Sequence, residues 1–176
     1  IIGAMEEEVA ALKEAMEIEG GVESATMKFC KGKLCGKDVV VVRSGVGKVN
    51  AAICTQTMCL KYSPDFIINS GVAGGLEKSL NICDIVVATS VIQHDMDTSP
   101  LGDPVGFVSG INLVKIPCRK ELSEKLALAA AENNIHTLSG IIVSGDQFIN
   151  SSEKKTYLIE TFSAFACEME AASIGH

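Results

Sequence analysis

The feature that most constrains the fold is a run of four consecutive valines, Val39–Val42. A strand with one wet face alternates polar and apolar residues, whereas a strand covered on both faces is apolar throughout. A helical pattern precedes this run, because Val9, Leu12 and Met16 recur on one face of Met5–Met16. Buried strands that alternate with helices predict an α/β fold with helices on both faces of a sheet.

The rest of the chain repeats this order. The predicted strands are Ile1–Gly3, Met27–Cys30, Lys33–Arg43 (after a turn at Gly32), Asp65–Ser70, Asp84–Thr89, Ser139–Ser144 and Ala164–Cys167. Two further helices are predicted, Lys48–Leu60 and Arg119–Asn133. Residues 95–112 form the longest irregular segment, and such loops are often functional. In sheets of this kind, ligands bind at the loops beyond the strand ends.

Composition narrows the class of protein. The 176 residues suit one domain, and 47% hydrophobic against 21% charged residues predicts a folded chain. A net charge of −7, with no basic run longer than Lys154-Lys155, argues against a nucleic-acid partner. No apolar run reaches the ~20 residues of a membrane span. The seven cysteines form no zinc spacing and indicate free thiols in a reducing cytoplasm.

Two of the candidate site segments follow the first strands of the chain. Gly3–Glu8 places three glutamates at a strand-to-helix junction, where they either complement the helix dipole or include one that faces a ligand. Gly71–Gly75 has glycines that allow close backbone approach, but it lacks the Walker and Rossmann spacings. It is equally consistent with a plain turn.

Two further segments follow later strands. Ser144–Asn150 combines a polar turn with Phe148, which suits a purine edge and a stacking face, or else a strand exit with a core Phe. Glu168-Met169-Glu170 puts two carboxylates in an apolar context, which is costly unless they are used, and a carboxylate can accept from a pair of sugar hydroxyls. His94–Asp97 offers too few ligands for a metal site, so we predict a structural role and no metal.

Together these segments resemble the methylthioadenosine/S-adenosylhomocysteine nucleosidases of the purine nucleoside phosphorylase superfamily. Six stretches match in family order: Ile1–Val9, Ser44–Ala52, Ile67–Gly75, Asp84–Val87, Gly140–Asn150 and Glu168–Ala172. The resemblance implies a three-layer α/β/α fold around a twisted mixed sheet. It implies hydrolysis of a purine nucleoside, with adenine released from methylthioadenosine, S-adenosylhomocysteine or 5′-deoxyadenosine. It also implies a homodimer without metal or organic cofactor.

The resemblance also implies residue roles. Glu8 is the base that activates the attacking water, and Glu170 binds the ribose hydroxyls; nearby carboxylates also suit an oxocarbenium-like sugar. The remaining candidates are substrate-binding residues: Met5 and Val46 at the ribose end and alkylthio tail, Ala73 and Gly74 along purine and ribose, Phe148 and Ile149 at adenine, Met169 against the sugar, and Glu168.

The match has three departures. The family's Asp in a Ser-Asp motif, which helps adenine leave, has no counterpart before His176, so we predict a single nucleosidase domain over 1–176 that lacks the family's final strand and C-terminal helix. Val72 stands where many members have Ser. In the 95–112 loop, Leu101 is the nearest candidate for a residue that reaches into a partner's pocket.

Three alternatives stay open. A phosphorylase of the same superfamily would need cationic side chains that contact phosphate. The negative charge of Glu6, Glu7 and Glu8 would repel phosphate. The two cations Arg43 and Lys48 keep this alternative open. A chain that ends at His176 could instead bind nucleosides with little turnover. A related hydrolase could act on another adenosine-like nucleoside, such as aminodeoxyfutalosine.

Overall fold

A computed structural model describes all residues, 1–176. They divide into two compact units, Ile1–Val72 and Ala73–His176. Each unit contains a mixed sheet and helices, so the predicted α/β class is confirmed, although the hydrogen-bonded strands form a four-stranded and a five-stranded sheet. None of the helices is both long and apolar enough to cross a bilayer.

The first unit holds a four-stranded sheet in the order β1-β4-β3-β2. β1 pairs parallel with β4, and the other two pairings are antiparallel. Its elements are β1 Ile2–Gly3, α1 Glu6–Ala15, β2 Glu17–Ser24, β3 Met27–Leu34, β4 Lys37–Arg43 and α2 Lys48–Tyr62. The parallel register Gly3↔Arg43 brings the carboxyl ends of β1 and β4 side by side.

The core of this unit forms where the sequence pattern placed it. Val9 and Met16 of α1 pack with Val41 of β4 in one buried cluster, and Leu12 lies against it. The apolar stripe of α1 therefore faces the valine run. Since Val41 is fully buried, replacing it with a polar residue would leave an unsatisfied group in this cluster.

The first unit differs from the prediction in three places: β2 was not predicted, and two other assignments change. Gly32 is not a turn; it pairs with Ile18 and Val39 inside β3, and an added Cβ would lie 2.2 Å from the Glu17 carbonyl oxygen. Glycine is therefore needed there for close approach of β2. The predicted strand Asp65–Ser70 forms a single bridge, Ile2↔Asn69, because the two-residue β1 offers few pairing groups.

The second unit holds a five-stranded sheet in the order β5-β9-β8-β6-β7. The pairings β6–β8 and β8–β9 are parallel, and the two edge strands are antiparallel. Its elements are β5 Gly74–Gly75, β6 Ile85–Gln93, a 3₁₀ turn Ser99–Leu101, β7 Ile116–Pro117, α3 Lys120–Glu132, β8 Thr137–Ser144, α4 Ser152–Phe162, β9 Ala164–Glu168 and α5 Ala171–Gly175.

Parallel pairing decides where the polar ends of these strands meet. The registers Gln93↔Ser144 and Ser144↔Glu168 place the last residues of β6, β8 and β9 in one row. Below that row, Ile92 and Val143 belong to a buried cluster of the second unit. The apolar bodies of the strands anchor their polar carboxyl ends at one edge of the sheet.

The cysteines are all free, as predicted. Cys30, Cys54 and Cys167 are buried. Burial raises the pKa of the Cys54 thiol to about 11, which keeps it protonated and unreactive near neutral pH. These thiols pack as small apolar side chains rather than as nucleophiles.

Candidate active site

The site in the first unit is built on the turn from β1 into α1. Glu8 is the third residue of α1, so its side chain folds back over the helix N-terminus. One carboxylate oxygen accepts hydrogen bonds from the backbone N–H groups of Ala4 at 2.7 Å and Met5 at 2.9 Å. The other oxygen accepts from the Val72 N–H at 2.9 Å. Three backbone donors therefore hold the carboxylate in one position.

These hydrogen bonds bear on the two interpretations of Glu6, Glu7 and Glu8, which were a complement to the helix dipole or a run with one residue that faces a ligand. The bond from Met5 to Glu8 is the capping arrangement that a dipole-favoured first turn predicts. The bond from Val72 is different, because it comes from a residue 64 positions away. A cap alone does not need a donor from a distant loop, so Glu8 also organises the Gly71-Val72 turn.

Gly71 leaves the space that this carboxylate occupies. A Cβ built on Gly71 would lie 2.5 Å from a Glu8 carboxylate oxygen and 2.7 Å from its carboxyl carbon. Both distances are shorter than real Cβ contacts. A side chain at position 71 would therefore displace the Glu8 carboxylate from this position.

A cavity of about 460 Å³ lies in the first unit beside this turn. Met5 and Val46, the two residues predicted to meet an alkylthio tail, both line it. The rest of the lining is largely polar and includes Glu6, Glu7, Arg43 and Asn50. The volume falls within the range of small-molecule pockets.

Charges at the mouth of this cavity are partly paired. The Lys13 ammonium donates to Glu6 at 2.7 Å, and this hydrogen bond lowers the pKa of the Glu6 carboxyl. The Arg43 Nε lies 3.9 Å from the other Glu6 oxygen. The cavity therefore presents charges of both signs.

In the second unit, Ser144 links the ends of β8 and β9. Its hydroxyl is fully buried, donates to one oxygen of Glu168, and accepts from the Ala172 N–H at 2.8 Å. The other Glu168 oxygen accepts from the N–H groups of Glu170 at 2.8 Å and Ala171 at 2.7 Å. Glu168 and Ser144 thus cap the N-terminus of α5 from two neighbouring strands.

Burial raises the pKa of Glu168, while the hydrogen bonds from Ser144 and the two backbone groups act in the opposite direction. Its oxygens are directed at the protein's own donors. The role of Ser144 was not recognised from the sequence; the available signal was a hydroxyl residue at a strand end beside Gly145, opposite a strand ending in a carboxylate.

Glu170 is buried, with 7% of its surface exposed, and immediately precedes α5. Its carbonyl accepts from the N–H groups of Ser173 and Ile174, which anchors its backbone to the first turn of the helix. Met169, which separates the two glutamates, is half-buried. The backbone of this segment is therefore anchored to α5. Glu170 adds a carboxylate that is separate from that of Glu168.

Phe148 and its neighbour Ile149 have contrasting environments. Phe148 is 84% exposed, so it is not a core residue of a strand exit. Ile149 is partly buried and packs against the main apolar cluster of the second unit. Ile149 anchors this turn while the Phe148 ring stays available for stacking.

Gly74 and Ala73 lie at the start of the second unit and are exposed. Gly74 pairs with Cys167 in the antiparallel β5–β9 ladder, and a Cβ on Gly74 would lie 3.1 Å from the Cys167 sulfur. The strand β5 was not predicted, because two glycines carry no strand signal. It places the backbone of Gly74 next to the end of β9.

His94 and the following acidic residue belong to the loop after β6. The Asp95 carboxylate accepts from the Asp146 N–H at 2.9 Å, which ties this loop to the one after β8. His94 is buried against Gly145, where a Cβ would lie 2.4 Å from the ring nitrogen Nε2. No group of three or more His, Cys, Asp or Glu side chains is arranged to hold a metal ion.

Comparison with known proteins decides the family. The family model described as the phosphorylase superfamily matches residues 1–176. The chain belongs to the phosphorylase superfamily. A 5′-methylthioadenosine/S-adenosylhomocysteine nucleosidase of Shewanella halifaxensis (strain HAW-EB4) is 41% identical over 175 residues, which cover 99% of this chain and 76% of that protein.

Solved structures of this superfamily agree in fold. A Helicobacter pylori nucleosidase mutant with 5′-methylthioadenosine in its active site superposes with a TM-score of 0.93 at 36% identity, over 99% of this chain and 75% of that one. A futalosine hydrolase of the same organism gives 0.93 at 35% identity, with the same coverage. The resemblance read from the six sequence segments and the nucleoside phosphorylase-like fold are confirmed.

Proposed function

We propose that this protein hydrolyses the N-glycosidic bond of 5′-substituted adenosines, including methylthioadenosine and S-adenosylhomocysteine, and releases adenine. The observation that carries the proposal is 41% identity to a nucleosidase of that name across 99% of the chain. The geometry around Glu8 supports it, because a carboxylate fixed at a strand end suits attack on an oxocarbenium-like sugar carbon.

Glu8 is the proposed base. A carboxylate has about four lone-pair directions, and three are taken by the backbone donors of Ala4, Met5 and Val72. One direction remains for a water molecule. A fixed carboxylate can orient that water and accept its proton as bond cleavage places positive charge on the sugar.

Glu170 is the proposed ligand of the ribose hydroxyls, and Glu168 is its positioning residue. Support comes from the contacts of Glu168. One Glu168 oxygen accepts a hydrogen bond from the backbone N–H of Glu170, and both Glu168 oxygens accept from donors within the protein. A carboxylate accepts two hydroxyl donors well, as the vicinal diol of a ribose requires. Met169 would then pack against the sugar.

Adenine recognition is proposed for the turn after β8 and the start of β5. The exposed ring of Phe148 can stack on the base, and the backbone of Ile149 can bond its edge. Ala73 and Gly74 have no bulky side chains, so a flat ligand could approach their backbone. Met5 and Val46 would contact the 5′ substituent, in the cavity they line.

Water is favoured over phosphate as the nucleophile. The first turn of α1 carries Glu6, Glu7 and Glu8, whose charge would repel a phosphate dianion. Adenine release in phosphate-free buffer is the direct test. An absolute requirement for phosphate would overturn the hydrolase assignment and favour a phosphorylase.

The role of Glu8 is tested by Glu8→Gln, which keeps the shape of the side chain but removes the base. Turnover of methylthioadenosine should fall at least 10²-fold, about the usual contribution of a general base, while substrate affinity changes far less. Glu14→Gln, an exposed residue of the same helix, is the matched control. Near-normal turnover of Glu8→Gln would refute the assignment.

The role of Glu170 is tested by Glu170→Gln. Binding of a ribose-containing inhibitor should weaken about tenfold, since a charge-assisted pair of hydrogen bonds is lost. Binding of free adenine should change little. Glu160→Gln on α4 is exposed and removes the same charge; equal inhibitor affinity in the two variants would contradict ribose binding by Glu170.

A second substrate is favoured by one comparison. The futalosine hydrolase that superposes with a TM-score of 0.93 indicates that this fold accepts more than one nucleoside. Futalosine is therefore a candidate substrate. Parallel assays of kcat/KM for methylthioadenosine, S-adenosylhomocysteine and futalosine rank the three.

A homodimer is also proposed. The helix α2 exposes Val49 (68%), Ile53 (43%) and Leu60 (75%), which recur along one side of the helix. A second copy would cover this stripe, and Leu101, which is 83% exposed, is the candidate to reach the partner. A monomeric mass in light scattering, unchanged by Leu60→Glu, would refute this dimer.

The cellular setting is proposed from chemistry. Free thiols suit a reducing cytoplasm, and a net charge of −7 does not favour nucleic-acid or anionic-membrane binding. Hydrolysis of methylthioadenosine yields adenine and a methylthio sugar, and we propose that the reaction serves methionine salvage. Hydrolysis of S-adenosylhomocysteine removes a product of methyl transfer.

A further inference from the structure

The cavity beside Met5 holds more polar surface than a methylthio group can use. Met5 and Val46, the residues predicted to contact a thioether, line only part of it. The remaining lining includes the charged side chains of Glu6, Glu7 and Arg43, in a volume of about 460 Å³. These three side chains are exposed, so water serves them when the tail is apolar, whereas a charged substituent can replace that water with direct contacts.

Arg43 is the cation of this cavity. It ends β4, next to Gly3 of β1, and its side chain is 56% exposed. The ion pair it makes is long, 3.9 Å from its Nε to Glu6, and that glutamate already accepts from Lys13 at 2.7 Å. A guanidinium presents five N–H donors in a planar fork that matches a carboxylate. Arg43 is therefore able to take a carboxylate ligand.

The cavity also adjoins the proposed base. Ala4 and Met5 line it, and the backbone N–H groups of the same two residues hold the Glu8 carboxylate. A nucleoside whose sugar carbon reacts near Glu8 would therefore direct its 5′ substituent along this lining.

We propose that Arg43 binds the carboxylate of the amino-acid tail of S-adenosylhomocysteine, with Glu6 and Glu7 facing its ammonium group. The cavity then favours a nucleoside with a zwitterionic 5′ tail over methylthioadenosine. This inference rests on the proposed nucleosidase function and assigns a substrate preference within it. Arg43 is a specificity residue because methylthioadenosine lacks the group that it contacts.

The test compares equilibrium binding of the two nucleosides. Calorimetry is run on the full chain carrying Glu8→Gln, at a temperature where chromatography detects no adenine release during the titration, so that dissociation constants are measured on intact nucleosides. Adding Arg43→Gln should weaken S-adenosylhomocysteine about three- to tenfold, the range for a partly exposed charge-assisted contact, and leave methylthioadenosine unchanged. The loss should shrink at high salt, because exposed charges are screened.

Lys37→Gln is the matched control. Lys37 begins the same strand that Arg43 ends, roughly 20 Å away at ~3.3 Å per residue, and its loss changes the net charge equally. It should alter neither dissociation constant. Arg43→Lys should restore part of the affinity for S-adenosylhomocysteine, since a point charge remains without the planar fork.

The outcomes separate this inference from the proposed function. Equal weakening of both nucleosides by Arg43→Gln, no weakening of either, or no binding of S-adenosylhomocysteine would overturn the inference. Hydrolysis by the parent chain would still support the nucleosidase function in those cases. Conversely, Arg43-dependent binding of S-adenosylhomocysteine by a parent chain that hydrolyses neither nucleoside would support this site and refute the function.

Discussion

Replacing Ser144 with alanine removes one buried hydroxyl that serves two partners. The hydroxyl donates to Glu168 and accepts from the Ala172 N–H, and Ser144 is fully buried. A hydrogen bond to a charged group contributes about 1.5–3 kcal/mol, and a buried donor left unsatisfied costs about 1–3 kcal/mol. Since the two effects share one site, we expect the free energy of unfolding to fall by about 2–4 kcal/mol.

Urea denaturation followed by circular dichroism measures this loss. At roughly 3 °C per kcal/mol for a chain of this size, Tm should fall by about 6–12 °C. Ser139→Ala is the control, because Ser139 lies on the same strand but is exposed. Exposed substitutions stay within about 0.5 kcal/mol. A loss for Ser144→Ala no larger than that of the control would refute the proposed anchoring of α5.

Three further predictions follow from buried or crowded groups. Gly71→Ala should displace the Glu8 carboxylate, because the new Cβ would lie 2.5 Å from it, and should lower turnover by about 10²-fold; Gly20→Ala, with nothing within 4 Å, should not. Burial raises the pKa of Glu168, so its contribution to stability is present below about pH 4.5 and is lost as pH rises through the folded-state pKa. The stability difference between wild type and Glu168→Gln should therefore depend on pH across that window, and a flat difference would contradict it. The Cys54 thiol, with a pKa of about 11, should resist alkylation until the chain unfolds, which mass spectrometry of labelled peptides can check.

The class of fold followed from the sequence because it depends on local patterns. The valine run of β4 and the stripe of α1 each specify which face is buried, and they pack together as expected. The strands β2 and β5 and the helix α4 were missed because their local patterns are weaker. β5 is two glycines, and Gly32 signals a turn in isolation although it lies inside a strand. Their structure comes from a neighbouring strand, which is not encoded within a few residues.

The candidate site also has features that follow from local sequence and features that depend on distant residues. Glu8, Glu170 and Phe148 were singled out in segments at predicted strand ends, and their roles, which stay predictions, came from the family resemblance. The hydrogen-bond partners of the glutamates in these segments could not be predicted from the sequence. The Val72 N–H reaches Glu8 from 64 residues away, and Ser144 reaches Glu168 across 24. Such bonds exist only after the strands have paired.

The sequence by itself therefore determined the α/β class, the apolar faces and the candidate site segments, because hydrophobic periodicity and turn residues act over a few positions. Only the tertiary structure decided which groups each glutamate contacts. Glu168 is turned inward by Ser144 and the start of α5, and the space for Glu8 exists because Gly71 has no side chain. These outcomes depend on strand register and close packing, which bring together residues that are distant along the chain.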